Sequence, residues 1–230
     1  MLEGIRTTRL ALERTVRLVA SARLRPPVLG ALAPPGRLAD LEEIEGATSG
    51  RLNGQWRGTE GVEAGEFVYG APCASFINAA FAYPKPGRIN RFNGERRGAW
   101  YASLDVETSL AEVAFHITQE LAKIGVFETR VEFAELHASF AGEAIDLLAT
   151  PQHPSLHPDP NLGYPAGNAL AMEALREGIQ IIRYPSVRHD GGICIAALAP
   201  HAVQSVQQGG LWEMVWAGSP SPIVRQKAPS

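Results

Sequence analysis

Arg88-Ile89-Asn90-Arg91-Phe92-Asn93-Gly94-Glu95-Arg96-Arg97-Gly98-Ala99-Trp100-Tyr101-Ala102-Ser103 is the stretch on which the fold reading depends. Two short β-prone runs, residues 88–93 and 99–103, flank the basic, glycine-bounded residues 94–98, a pattern that predicts a hairpin. A helix follows at once. Asp105 is an N-cap candidate with Glu107 in the first turn, and Val106, Leu110, Val113, Ala114, Ile117 and Leu121 form one apolar stripe down to Lys123. Glu112 lies on the opposite side of that helix, beside Thr108, Phe115 and His116. A carboxylate there is ordinarily solvated, yet an aromatic ring and an imidazole next to it suit the wall of a cleft.

Working outward, residues 126–133 read as a strand, 153–161 as a Pro-rich loop, and 168–176 as a helix stopped by Gly178. Residues 179–184 and 193–198 are β-rich runs around the turn Pro185-Ser186-Val187-Arg188-His189-Asp190-Gly191-Gly192. Strands and helices mix without regular βαβ alternation, so the expected class is α+β rather than a doubly wound sheet. Upstream, residues 39–45 look like a short acidic helical segment and residues 54–65 like a polar, Gly-rich loop. Pro26, Pro27, Pro34 and Pro35 mark a linker. Residues 1–25 hold six Arg and two Glu, net plus four, which leaves minus seven for the rest of a chain whose total is minus three. Ile5, Leu12, Val16 and Val19 fall on one helical stripe opposite Arg6, Arg14 and Arg17. Residues 1–38 are therefore expected to be a basic amphipathic helical extension with a Pro-rich linker, and residues 39–230 the main domain.

With 230 residues, 45% hydrophobic and 20% charged, the composition is that of a globular domain long enough to bury a core without staples. The two cysteines, Cys73 and Cys194, are too few and too far apart for a disulfide framework or a four-cysteine zinc site, so a reducing cytoplasm is expected. Charges at Glu3, Arg6 and Arg9 leave no room for a signal-peptide core, and the longest uncharged stretches are interrupted by Gly, Pro, Asn, Gln or His, so no membrane association is expected. An acidic body also argues against direct nucleic-acid binding. No phosphate-binding glycine loop is present. His153 and His157 have helical zinc spacing, but Pro154 and Pro158 oppose a helix there, and no metal is expected. Ser186 lacks the glycine-flanked elbow of serine hydrolases, which leaves that chemistry the weakest alternative.

The ordered set Arg91-Phe92-Asn93, Gly98-Ala99-Trp100-Tyr101-Ala102-Ser103, Glu107-Thr108-Ser109-Leu110-Ala111-Glu112 and Tyr184-Pro185-Ser186-Val187-Arg188 resembles the RES domain family. That family is named for its Arg, Glu and Ser, and its best-known members are toxins paired with Xre-type antitoxins. Arg91 to Tyr101 is ten positions and Tyr101 to Glu112 eleven, as in the family pattern, and Gly191-Gly192 also fits. The resemblance spans about residues 40–218, including Leu41 to Arg51 and Asn78-Ala79-Ala80-Phe81, as in a longer branch of the family. There are two departures. Where the family has an aromatic-Arg element on its first strand, residues 65–70 offer Phe67-Val68-Tyr69 with no arginine, and where an Asp-Gly pair usually precedes the serine there is Gln180-Ile181-Ile182.

The resemblance implies an ADP-ribosyltransferase-like α+β fold, with mixed and mainly antiparallel sheets and flanking helices, that takes NAD as substrate and breaks its nicotinamide–ribose bond. The acceptor would be water, phosphate or a protein side chain. In this reading Glu112 faces the oxocarbenium-like ribosyl carbon. Arg91 offers a donor fork to the diphosphate or ribose, Tyr101 a stacking face and a hydroxyl, and Ser186 a hydrogen bond to nicotinamide or ribose. Arg88, Asn93, His116 and Arg188 are secondary candidates. The implied partner is an Xre-type antitoxin covering the cleft between the Arg96 and Ser186 loops, with Arg96-Arg97 favouring an acidic segment. A homo-oligomer is compatible with the chain. The competing function is a RES-like binding module without catalysis.

Overall fold

The computed structural model describes residues 4–21, 61–71, 73–82 and 89–228. Its elements run β1 (Thr7–Ala20), α1 (Ala74–Ala82), β2 (Trp100–Ser103), α2 (Val106–Ile124), β3 (Glu128–Asp146), α3 (Pro160–Arg176), β4 (Ile181–Pro185), β5 (Ile193–Ala197), β6 (Val203–Ala217) and β7 (Ile223–Lys227). Among the described residues the strands form one seven-stranded sheet in the order β1-β2-β5-β4-β3-β6-β7, and β1 also pairs with β3, closing the first five strands into a ring. Every pairing is antiparallel except β3 with β4. The fold is α+β, with a mixed, mainly antiparallel sheet, as expected. No helix among the described residues is long and apolar enough to cross a membrane.

The N-terminal segment corrects the sequence expectation. Residues 7–20 form a strand, not an amphipathic helix, and they pair with β3 from Thr7↔Ile145 to Ala20↔Phe133. They are part of the same sheet as the strands from residue 100 onward, not an extension from it. The misleading signal has a physical origin in a β-bulge. Leu12 opposes Phe140 and Thr15 opposes Ala138, so three steps on β1 match two on β3. Leu12 and Val19 consequently pack against the same core although they are seven residues apart, an odd spacing that imitates a helical repeat. The proposed linker and the acidic segment at 39–45 lie outside the described residues, as do residues 54–60 of the polar loop and Arg88.

The hairpin is also corrected. β2 pairs with β5, from Trp100↔Ala197 to Ser103↔Cys194, and residues 89–93 form a tight turn with a single Asn90↔Asn93 bridge. Backbone donors in that turn are already used. Asn90 N–H goes to Asn93 O at 2.9 Å and Phe92 N–H to the Tyr101 hydroxyl at 2.9 Å, so no ladder with β2 forms. The strand expected at 126–133 runs on to Asp146, and the helix expected from 168 starts at Pro160. Proline has no N–H to lose at the first helical position, and the Asp159 carboxylate caps the turn by accepting from Asn161 N–H at 2.9 Å.

Three apolar clusters fix the helices on the sheet. Trp100, Phe81, Leu136, Phe140, Ile181 and Ile195 pack inside the ring beneath α1. On the opposite face of β4 and β5, Ile182, Ala196 and Tyr184 pack against Phe92, Leu170 and Ala174 beneath α3. The α2 stripe, Val106 to Leu121, lies on Leu18, Phe133, Met214 and Trp216, which are contributed by β1, β3 and β6. α2 begins as the sequence indicates, with Asp105 accepting from Thr108 N–H at 2.7 Å. Ser109 anchors that start by donating to Val16 O at 2.7 Å. The helix thus has a fixed register over the edge of the ring, between β2 and α3.

Carboxylates held by hydrogen bonds tie the stability of the fold to pH. Arg183 hydrogen bonds hold Asp146 below the usual carboxylate range, and Arg97 does the same for Glu66. Burial would raise Glu135, but hydrogen bonds from Trp212 and His137 outweigh it and its pKa is lowered. A carboxyl depressed in the folded state stabilises above its unfolded pKa, about 4, and that contribution is lost as pH falls through the folded pKa. The expected result is a urea midpoint that is flat with respect to these groups above about pH 5 and declines below about pH 4. Asp146→Asn lowers the midpoint at neutral pH and makes the acid decline shallower, which urea titrations across pH measure.

Candidate functional site

A cleft of about 220 Å³ opens where β2, β5, α2 and α3 meet. Tyr101, Ser103, Glu112, Tyr164, Tyr184 and Cys194 line it, together with Arg17 from β1 and Asn90-Arg91 from the turn before β2. Three of the four expected site residues, Arg91, Tyr101 and Glu112, line the cleft directly. The fourth, Ser186, stands behind Glu112 and reaches it.

The Ser186 hydroxyl donates to Glu112 Oε1 at 2.6 Å. The Cys194 thiol approaches the same oxygen at 3.8 Å, while Glu112 Oε2 has no hydrogen bond among the described residues. One carboxylate oxygen is therefore held from behind and the other is available. Burial pushes the Cys194 thiol well up, so it stays protonated and is no nucleophile. Ser186 Oγ also accepts from the N–H groups of Arg188 and His189, each at 3.1 Å. Its single proton is committed to Glu112, which changes the expectation that it would bond to nicotinamide or ribose. No histidine activates it, since His189 is hydrogen-bonded to Thr108 instead.

Tyr101 projects from β2 with its hydroxyl enclosed, donating to Asn93 Oδ1 at 2.9 Å while accepting from Phe92 N–H. Burial raises its pKa, so the phenol is neutral at all physiological pH. The hydroxyl expected to orient a substrate is thus occupied within the protein, and the ring is what Tyr101 offers to the cleft. Asn93 acts as its partner.

Arg91 is buried, 7% exposed, and its Nη1 donates to the carbonyls of Ser155 and His157, the latter at 3.1 Å. Its guanidinium lies 5.5 Å from the Tyr164 ring centroid. Among the described residues Nε and Nη2 carry no hydrogen bond, so one side of the fork clamps the 155–157 segment and the other is not engaged by it. A close approach to α3 makes this possible: a Cβ at Gly167 would lie 1.9 Å from Arg91 O, so only glycine fits there.

Two contributors were missed. The first strand is β1, not residues 65–70, and Arg17 on it lines the cleft, stacked 4.7 Å from the Trp100 ring centroid and donating to Tyr101 O at 3.2 Å. An arginine on the first strand is therefore present, hidden by the helical reading of residues 5–19. Tyr164 on α3 is the other, between the expected loop at 153–161 and the expected helix at 168–176; burial raises its pKa, so it too presents a neutral ring. Of the secondary candidates, His116 lines the rim, and Arg188 stacks on Phe115 with its guanidinium carbon 3.4 Å from the ring centroid. That contact accounts for an aromatic residue on the polar side of α2. Arg97 does not present a free charge to a partner, because it bonds Glu66, Leu198 O and Gly61 O. Among the described residues, no group of three or more His, Cys, Asp or Glu could hold a metal ion.

The cleft can place a cationic fork, aromatic faces and one carboxylate oxygen around a single small molecule, with little negative charge elsewhere in its lining. In comparisons with known proteins, no curated protein matches the chain. One solved structure, the M. tuberculosis MbcT-MbcA toxin-antitoxin complex, aligns over 89% of this chain and 85% of that chain at 15% identity, with a TM-score of 0.41, a distant likeness. The RES domain profile, by contrast, matches residues 67–217, taking in the turn that carries Arg91, the β2 tyrosine, the α2 carboxylate and the serine loop. Over more than half of its length, and through Arg91, Tyr101, Glu112 and Ser186, this chain belongs to the RES domain family.

Proposed function

We propose that this RES-domain protein is the toxin of a toxin–antitoxin module and consumes NAD by breaking its nicotinamide–ribose bond. The observation that carries the reading is the convergence in one cleft of a carboxylate braced by Ser186, the rings of Tyr101 and Tyr164, and the guanidinium groups of Arg17 and Arg91. These groups suit a dinucleotide. Arginines match a diphosphate, aromatic faces match nicotinamide, and a lone carboxylate matches a carbon that becomes cationic. In the step, the bond from ribosyl C1′ to the pyridinium nitrogen breaks with its electron pair going to nitrogen, so nicotinamide leaves neutral. An acceptor oxygen then bonds to C1′ and releases its proton. Glu112 Oε2 faces the developing charge or orients the ribose hydroxyls, and Ser186 keeps Oε1 from turning in its place.

An NAD-degrading enzyme endangers its own host, so the reading includes an antitoxin partner of the Xre type and a cytoplasmic setting that suits two free thiols. Arg97 being internally paired, such a partner would reach the cleft without relying on that charge. Purified protein freed of any antitoxin is expected to release nicotinamide from NAD without added metal, followed by chromatography. Folded, partner-free protein with no detectable release would overturn the reading.

A further inference from the structure

The loop from Ser186 to Gly192 leaves β4, returns to β5, and touches α2 at three points. His189 Nδ1 lies 2.8 Å from Thr108 Oγ1, Ser186 donates to Glu112 Oε1, and Arg188 covers the Phe115 ring. Thr108, Glu112 and Phe115 are i, i+4 and i+7 on one face of the helix, so the loop is attached at successive turns. It is braced internally as well: Ser186 N–H donates to Gly192 O at 2.8 Å and Gly192 N–H to His189 O at 3.1 Å. The seating is close. A Cβ at Gly192 would lie 2.4 Å from Thr108 Oγ1 and 3.1 Å from His189 Nδ1, so any side chain there would lift the loop from the helix. Arg188 Nη2 also donates to Pro158 O at 2.5 Å, joining the loop to the segment that Arg91 grips at Ser155 and His157.

We propose that His189 and Arg188 are positioning residues, which hold this loop on α2 so that the Ser186 hydroxyl stays on Glu112 and leaves Oε2 aimed into the cleft. The inference rests on the reading of Glu112 as the carboxylate at the ribosyl carbon. A glutamate side chain has several rotamers of similar energy, and one hydrogen bond from a mobile loop selects weakly among them. Anchors one turn to either side remove the loop's own freedom, so that the same hydrogen bond selects one rotamer.

Single-turnover NAD cleavage and calorimetric NAD affinity are to be measured for the wild type, Ser186→Ala, His189→Ala and the double variant, alongside amide exchange in the loop. His189→Ala is expected to slow turnover about fivefold, the loss of roughly one hydrogen bond, with NAD affinity within about twofold. His189→Asn, whose amide can pair with Thr108 whichever group donates, recovers most of the rate. In the Ser186→Ala background, His189→Ala costs nothing further, because its effect passes through that hydroxyl. Exchange at the Arg188 and His189 amides, which Ser186 Oγ accepts, rises in His189→Ala. An equal proportional loss in both backgrounds, a loss confined to affinity, or an unaltered rate overturns the proposal. If the wild type itself fails to cleave NAD, the functional reading falls and the catalytic purpose of the strap falls with it. The exchange data then still decide whether His189 holds the loop.

Discussion

Glu112→Gln is expected to lower nicotinamide release by about a hundredfold or more, while the NAD dissociation constant changes by less than about threefold. Glutamine keeps the shape of the side chain, and its carbonyl oxygen accepts from Ser186 as Glu112 Oε1 does at 2.6 Å. What it loses is the negative charge facing a carbon that becomes cationic as nicotinamide leaves. One preorganised electrostatic group in a partly dehydrated cleft contributes about 3 kcal/mol, which sets the size of the effect. Folding is spared, since Glu112 lies off the α2 stripe that packs on Leu18, Phe133 and Trp216. Single-turnover rates with calorimetry decide the matter, and near-normal turnover would show that the Glu112 charge has no part in the step.

Replacing Arg91 is expected to damage both binding and stability. On the sequence pattern alone, Arg91→Lys would weaken NAD binding and leave the fold intact. The structure alters that expectation, because the buried guanidinium donates from Nη1 to the Ser155 and His157 carbonyls while the residue also lines the cleft. An ammonium cannot serve both sides. Arg91→Ala leaves two carbonyls short of a donor and is expected to cost about 3 kcal/mol, a fall of about 10 °C in Tm for a chain of this size. Arg91→Lys is intermediate in Tm and binds NAD about tenfold more weakly, since it retains charge without the fork. Thermal unfolding and calorimetry on the two variants measure these effects. A lysine variant with unchanged Tm and weakened binding would show that the carbonyl clamp contributes little.

The candidate site was legible to the extent that it follows from spacing along continuous elements. Asp105 capping α2 and the stripe from Val106 to Leu121 are local properties of the chain, and they determine which side Glu112 occupies. Tyr101 reaches the cleft because side chains alternate along β2, placing Trp100 in the ring core and Tyr101 against the cluster under α3. The division of labour was not legible. Whether the Tyr101 hydroxyl, the Ser186 proton or the two sides of the Arg91 fork serve a ligand or the protein depends on which acceptors lie near them. Those acceptors are Asn93, Glu112, Ser155 and His157, and chain turns bring them in from elsewhere.

By itself, the sequence determined the α+β class, the position of α2, the β4 and β5 runs and the ordered residues that mark the RES family. Each is set by local propensity, short-range periodicity or fixed spacing, which act without knowledge of distant partners. Tertiary structure alone decided that residues 7–20 are a strand. Their apolar positions are shifted in phase by a bulge whose existence depends on β3, more than a hundred residues away, and only pairing with that strand distinguishes the shifted two-residue repeat from a helical one. The same pairing closes the ring and carries Arg17 to the cleft, where it stacks on Trp100.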